Sequence, residues 1–168
     1  MVGLSRMMAG LAVGAAVAFA AATGNAMGNK EEEPMAAKPS SYDLAVKEIK
    51  KENWRMAIRY LNTTVRAEPR NADALNYLGF SHRKLGEFST AVEFYTRALA
   101  VNPDHRGANE YLGEAYLSMN NLPKAEERLA HLWNVCGQSC EEYRTLNESV
   151  MAYKAGRKPN QSSQAGRW

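Results

Sequence analysis

The segment from about residue 38 to 139 lines up with itself at a spacing of 34 residues, which constrains this chain more than any other feature. Leu44, Leu78 and Leu112 share one column, and Ala45, Gly79 and Gly113 the next. Ala57, Ala91 and Ala125 form a third column, and Leu61, Tyr95 and Leu129 a fourth. Trp54, Phe88 and Leu122 align as well, as do Ala67, Val101 and Val135, while Pro69 and Pro103 close the first two units. Small residues thus recur beside large ones. Two helices approach closely only where a small residue admits the neighbouring backbone, so the pattern predicts packed helix pairs, with Gly79 and Ala91 as points of close approach. A unit of this size cannot bury its apolar face alone and must stack on the next.

Within each unit the apolar spacing is helical, as in Leu75, Leu78, His82 and Leu85, and then Phe88, Ala91, Val92, Tyr95, Ala98 and Leu99. Gly86 and Asn120-Asn121 supply turns, Pro123 suits a first helical turn, and Pro103 stops the preceding helix. The reading is therefore all-α, with helices over 41–51, 54–67, 72–84, 88–100, 106–118, 122–135 and 140–154. The last, with Tyr143, Leu146, Val150 and Tyr153 at near-helical spacing, is expected to cap the stack, because an exposed repeat end needs a polar outer face.

The second unit, with Leu75, Leu78, Gly79, His82, Ala91, Tyr95, Ala98 and Pro103, resembles the tetratricopeptide repeat (TPR). The third unit departs from that pattern at Gly137, where proline is usual, and the first at Glu48, where an aromatic is common. The resemblance implies a right-handed α-solenoid of three repeats, about 38–71, 72–105 and 106–139, whose first helices line a concave groove. That groove would carry Tyr42, Val46 and Lys50, then Asn76, Tyr77, Phe80, Arg83 and Lys84, then Glu110, Tyr111 and Glu114. Aromatic and Arg side chains are common interface anchors, so the expected partner is a protein or peptide. The same rings could instead serve to pack neighbouring repeats, and both readings stand at this point. Members of the family that grip a C-terminal carboxylate use Lys, Asn and Arg at set positions. Those positions here hold Tyr42, Val46, Tyr77, Gly107 and Tyr111, so that clamp is missing.

The ends read differently. Arg6 precedes an uncharged run from Met7 to Ala22, followed by Thr23-Gly24-Asn25-Ala26. A membrane-spanning helix needs about 20 predominantly apolar residues; this shorter run with small residues after it reads as a secretory signal peptide over 1–26, cleaved after Ala26. An uncleaved anchor is the alternative. No Cys follows the run to carry a lipid, and Ser5-Arg6 is not a twin-arginine pair. Residues 27–40, with Lys30-Glu31-Glu32-Glu33-Pro34 and Lys38-Pro39, read as a disordered linker before a domain at 41–155, and 156–168 as a polar, basic tail. The expected location is the periplasm of a Gram-negative bacterium, with no membrane span after cleavage.

The whole chain has 21 basic and 18 acidic residues, a formal charge of +3. Removing 1–26 takes away Arg6 and no acid, leaving 20 against 18, or +2. Lys and Arg are interleaved with acids rather than gathered in a stripe, which argues against nucleic acid. Cys136 and Cys140, the only cysteines, sit four apart between the third repeat and the cap. In an oxidising compartment a disulfide is the leading reading, with buried thiols and redox chemistry as alternatives. No ligand set for zinc surrounds them, and His82, His105 and His131 fall on different elements, so neither metal nor cofactor is expected. No nucleophile–base pair, phosphate loop or paired-carboxylate motif stands out, and no catalytic residue is assigned. The expectation is a non-enzymatic adaptor; a self-assembling structural protein, or a thiol redox factor using Cys136 and Cys140, are the other classes.

Overall fold

The computed structural model describes residues 38–157. The expected signal peptide, nearly all of the linker and all but the start of the tail lie outside that range. Among the described residues there are seven α-helices: α1 (Ser41–Lys50), α2 (Trp54–Ala67), α3 (Ala72–Lys84), α4 (Phe88–Val101), α5 (Arg106–Ser118), α6 (Leu122–Cys136) and α7 (Glu141–Lys154), with a 3-10 turn at Gly137–Ser139. Every boundary lies within one residue of the sequence expectation.

Local chemistry explains the starts. Ser40 caps α1 in a reciprocal box, its hydroxyl accepting from the Asp43 amide while the Asp43 carboxylate accepts from the Ser40 amide, both at 3.1 Å. Asn71 and Asn121 accept from the amides of Ala74 and Lys124 at the starts of α3 and α6. At α5 the cap is an imidazole: His105 Nδ1 accepts from the Ala108 amide at 3.1 Å. The turns inside the helix pairs share one geometry at one repeat position. Glu52, Gly86 and Asn120 are 34 residues apart and all left-handed, with φ of 58°, 79° and 57°. Gly and Asn tolerate this region, whereas Glu52 adopts it at a cost of roughly 1–2 kcal/mol.

Each helix packs on the next in sequence, and in addition α3 meets α5 and α5 meets α7. The odd-numbered helices therefore form the inner layer of a curved stack, with α2, α4 and α6 outside. The core runs along the stack in linked clusters. Ala45, Ile49, Ala57, Leu61, Ala74, Leu78 and Phe80 fill the first end. Ala91, Tyr95, Leu112 and Ala115 fill the middle. Leu117, Ala125, Leu132, Leu146 and Val150 bind the cap.

Of the three α-helical glycines among the described residues, Gly79 and Gly113 mark the closest approaches. A Cβ on Gly79 would stand 2.6 Å from the Tyr95 ring of α4, and one on Gly113 would stand 2.5 Å from Leu146 of α7. Gly113 thus receives the cap rather than Leu129, the repeat equivalent of Tyr95, and Leu129 is only half-buried. Among the described residues no helix is long and apolar enough to cross a membrane.

Candidate functional site across the inner helices

All eleven expected groove residues lie on α1, α3 and α5, the inner layer. They fall into two groups that the structure treats differently.

At the edge formed by the starts of α1 and α3, Tyr42 and Tyr77 place their ring centroids 6.0 Å apart. Burial, then Tyr77 and Asp73, push the Tyr42 phenol well above its ordinary range; burial and Asp73 do the same, less strongly, to Tyr77. Both therefore stay neutral at physiological pH, each offering a half-buried ring and a hydroxyl. Val46 is half-buried one turn further along α1, and Lys50 is exposed at its end.

The centre is a denser arrangement. Phe80 of α3 and Tyr111 of α5 have centroids 5.1 Å apart, and the Arg83 guanidinium lies 5.5 Å from each ring. Its Nη2 stands 3.2 Å from Glu114 Oε2. Burial alone would depress the guanidinium, but Glu114, Tyr95 and Tyr111 outweigh it and hold Arg83 above its ordinary value. Asn76, Glu110 and Glu114 are also buried, at 5%, 8% and 6% exposure, so this is not a solvated charge face. Lys84 places its ammonium 5.4 Å from the Phe80 centroid and 5.8 Å from that of Trp54. Burial, and then Arg83, lower its pKa.

Two members of this cluster come from the outer layer. Trp54 of α2 meets Phe80 edge-on at 5.6 Å, and Tyr95 of α4 lies 6.2 Å from Tyr111. Burial pushes the Tyr95 phenol far above its ordinary range while Arg83 pulls against it. In the sequence both belong to packing columns, and that reading also holds, since Tyr95 is fully buried. Their second role depends on reach between helices, for which the repeat pattern carries no signal. For Phe80 the packing alternative holds, since it is 1% exposed within the core, where it also forms one wall of the Arg83 site.

Elsewhere, Cys136 ends α6, Cys140 caps α7, and their sulfurs stand 2.01 Å apart. The three histidines each meet a different acid. His105 Nε2 lies 3.0 Å from Asp73, bridging the starts of α3 and α5, and His131 Nε2 lies 3.1 Å from both Asp104 and the Pro103 carbonyl. His82 pairs with Glu87 and stacks on Phe94. Among the described residues no group of three or more His, Cys, Asp or Glu is placed to hold a metal ion.

The tetratricopeptide repeat family matches residues 72–105, the second unit. No curated protein matches the chain in sequence. Solved structures share its architecture at low identity. The first TPR domain of Spaghetti (RPAP3), bound to the HSP90 peptide SRMEEVD, superposes with a TM-score of 0.62 at 18% identity, covering 68% of this chain and 90% of that one. The Yersinia enterocolitica type III secretion translocator chaperone SycD gives 0.64 at 15% identity, covering 69% and 82%. The same chaperone in complex with a peptide of the translocator YopD gives 0.60 at 16%, covering 69% and 88%. With the repeat matched at α3–α4, the same turn conformation recurring at 34-residue intervals, and an inner layer of odd-numbered helices, the chain carries a tetratricopeptide repeat within an all-α helical-repeat solenoid.

Proposed function

We propose that the protein is a non-enzymatic adaptor that binds a segment of another protein across α1, α3 and α5 after export to the periplasm through residues 1–26. The observation that carries this reading is the row of partly exposed rings and cations on the inner layer: Tyr42 and Tyr77 at one edge, and Lys84 and Tyr111 at the centre, backed by the buried Phe80 and the largely buried Arg83. Aromatic and Arg side chains in a concave, largely desolvated setting are the usual anchors of peptide recognition. Two structures of like architecture were solved with peptides, one of HSP90 and one of YopD, which supports a peptide as the class of ligand. Among the described residues every histidine is spent on a structural contact, which favours binding over catalysis.

The test is a pull-down from envelope extract with the chain from residue 27 onward, beside a Tyr77→Ala/Lys50→Ala variant whose melting temperature matches the parent. A protein captured by the parent and lost from the variant supports the inner face. Equal capture by both sinks this reading, and an empty capture with concentration-dependent sedimentation favours self-assembly.

In the same proposal Cys136 and Cys140 form a structural disulfide that sets the docking angle of α7. So short a loop contributes only about 2 kcal/mol in the chain-entropy account. Replacing both by Ser is expected to lower stability by about that amount and leave partner capture intact. Unchanged stability would contradict the staple, and lost capture with unchanged stability would favour the redox alternative.

A further inference from the structure

Arg83 is the one guanidinium of the eleven groove residues, and a buried guanidinium flanked by rings is ordinarily a reader of carboxylates. Here that role is already filled from within the chain. Glu114, one repeat further on, places its carboxylate 3.2 Å from Nη2, and the side chains of the pair are only 11% and 8% exposed. The acid is held from a third element as well, since Ser149 of α7 donates its hydroxyl to the other Glu114 oxygen at 3.5 Å. The Phe80 and Tyr111 rings, each 5.5 Å from the guanidinium, remove water from the pair and so strengthen it. An incoming carboxylate could reach Arg83 only by displacing Glu114, which would leave a buried acid without its counter-ion, an expensive exchange.

We infer that Glu114 is a specificity-determining residue that occupies Arg83 and closes the centre of the inner face to partner carboxylates. The segment this face accepts then sets an uncharged side chain against the partly exposed Tyr111 and carries no acid opposite Arg83. The inference rests on the peptide-binding reading for its biological use, but the property itself belongs to Arg83 and Glu114 and can be measured without the natural partner.

The experiment compares two synthetic heptapeptides with the same apolar centre. One carries flanking glutamates and a free C-terminal carboxylate; the other has glutamines and an amidated end. Both are titrated by calorimetry against the chain from residue 27 onward and against its Glu114→Gln variant. Glu114→Gln is expected to raise the preference for the acidic peptide at least about tenfold, or to bring acidic-peptide binding into range where the parent has none. Adding Arg83→Gln is expected to abolish that gain. A smaller gain, no binding by either chain, or a gain that survives Arg83→Gln overturns the inference. Should Glu114→Gln lose its helical circular dichroism, Glu114→Met, which also removes the charge at similar size, takes its place with the same gain required. A failed pull-down with a positive titration would reject the adaptor reading alone, and the converse would reject only the role of Glu114.

Discussion

A Tyr95→Ala chain is expected to lose about 3–5 kcal/mol of unfolding free energy in a urea titration, the range for emptying a buried aromatic site. Tyr95 is fully buried, and its ring lies so close to α3 that a Cβ on Gly79 would meet it at 2.6 Å. It also packs with Ala91, Leu112 and Ala115, so its ring joins the second repeat to the third. Removing it leaves a cavity facing a glycine, which has no side chain to collapse into the space. Since small domains are stable by only about 5–15 kcal/mol, the loss is a large fraction of the total. The converse change, Gly79→Ala, fills the same contact from the other side. Its helix-propensity gain of about 1 kcal/mol is set against an overpacking cost of about 1–3 kcal/mol, because the ring atoms it meets are held by their own packing. Gly113→Ala is expected to carry a similar overpacking cost, since its Cβ would meet the fully buried Leu146 at 2.5 Å. A Tyr95→Ala loss below about 1.5 kcal/mol, outside the range for such a cavity, would mean that the ring is not the wedge between α3 and α4.

Leu146→Ala is the second large effect, about 2–5 kcal/mol, and it should be uneven along the chain. Leu146 is fully buried against Gly113 and, with Val150, holds α7 to Leu117, Ala125 and Leu132. In a stack where each unit contacts only its neighbours, stability is close to a sum of local interfaces, and a terminal element is released first. Hydrogen exchange of the variant should therefore show α7 amides, from Glu141 to Lys154, losing protection well before those of α2 to α4. Uniform acceleration across all helices would show instead that the stack unfolds as one unit and that α7 is not a separable cap.

The features legible in the sequence are those decided within one repeat or by its recurrence. Helix limits follow from caps and breakers a few residues away, such as Ser40 with Asp43, Asn71, Gly86 and Pro103. The small-residue columns Ala45, Gly79, Gly113 and Ala57, Ala91, Ala125 are buried in every repeat, because each stands where two helices approach. Glu52 is instructive, since nothing about a glutamate suggests a left-handed turn. Its repeat relation to Gly86 and Asn120 does carry the signal, and the conformation is imposed by the repeat rather than by the residue. His105 as a helix cap is a comparable case: the residue stands where a cap is required, but imidazole is not a usual capping group.

The sequence by itself determined an all-α stack of three helix pairs with a final helix, the positions of its helices, and the face on which the groove residues sit. Each of these depends on contacts a few residues apart or on periodicity, and both are written along the chain. Only the tertiary structure decided that Gly113 receives Leu146 rather than Leu129, that Lys84 rests over Trp54, and that Arg83 pairs with Glu114 between Phe80 and Tyr111. Those outcomes depend on the distance and angle between helices that are not consecutive in the chain. A shift of one or two ångströms there would keep every residue on its expected face while changing which charge meets which, because an ion pair and a ring contact are lost over distances that leave helix packing intact.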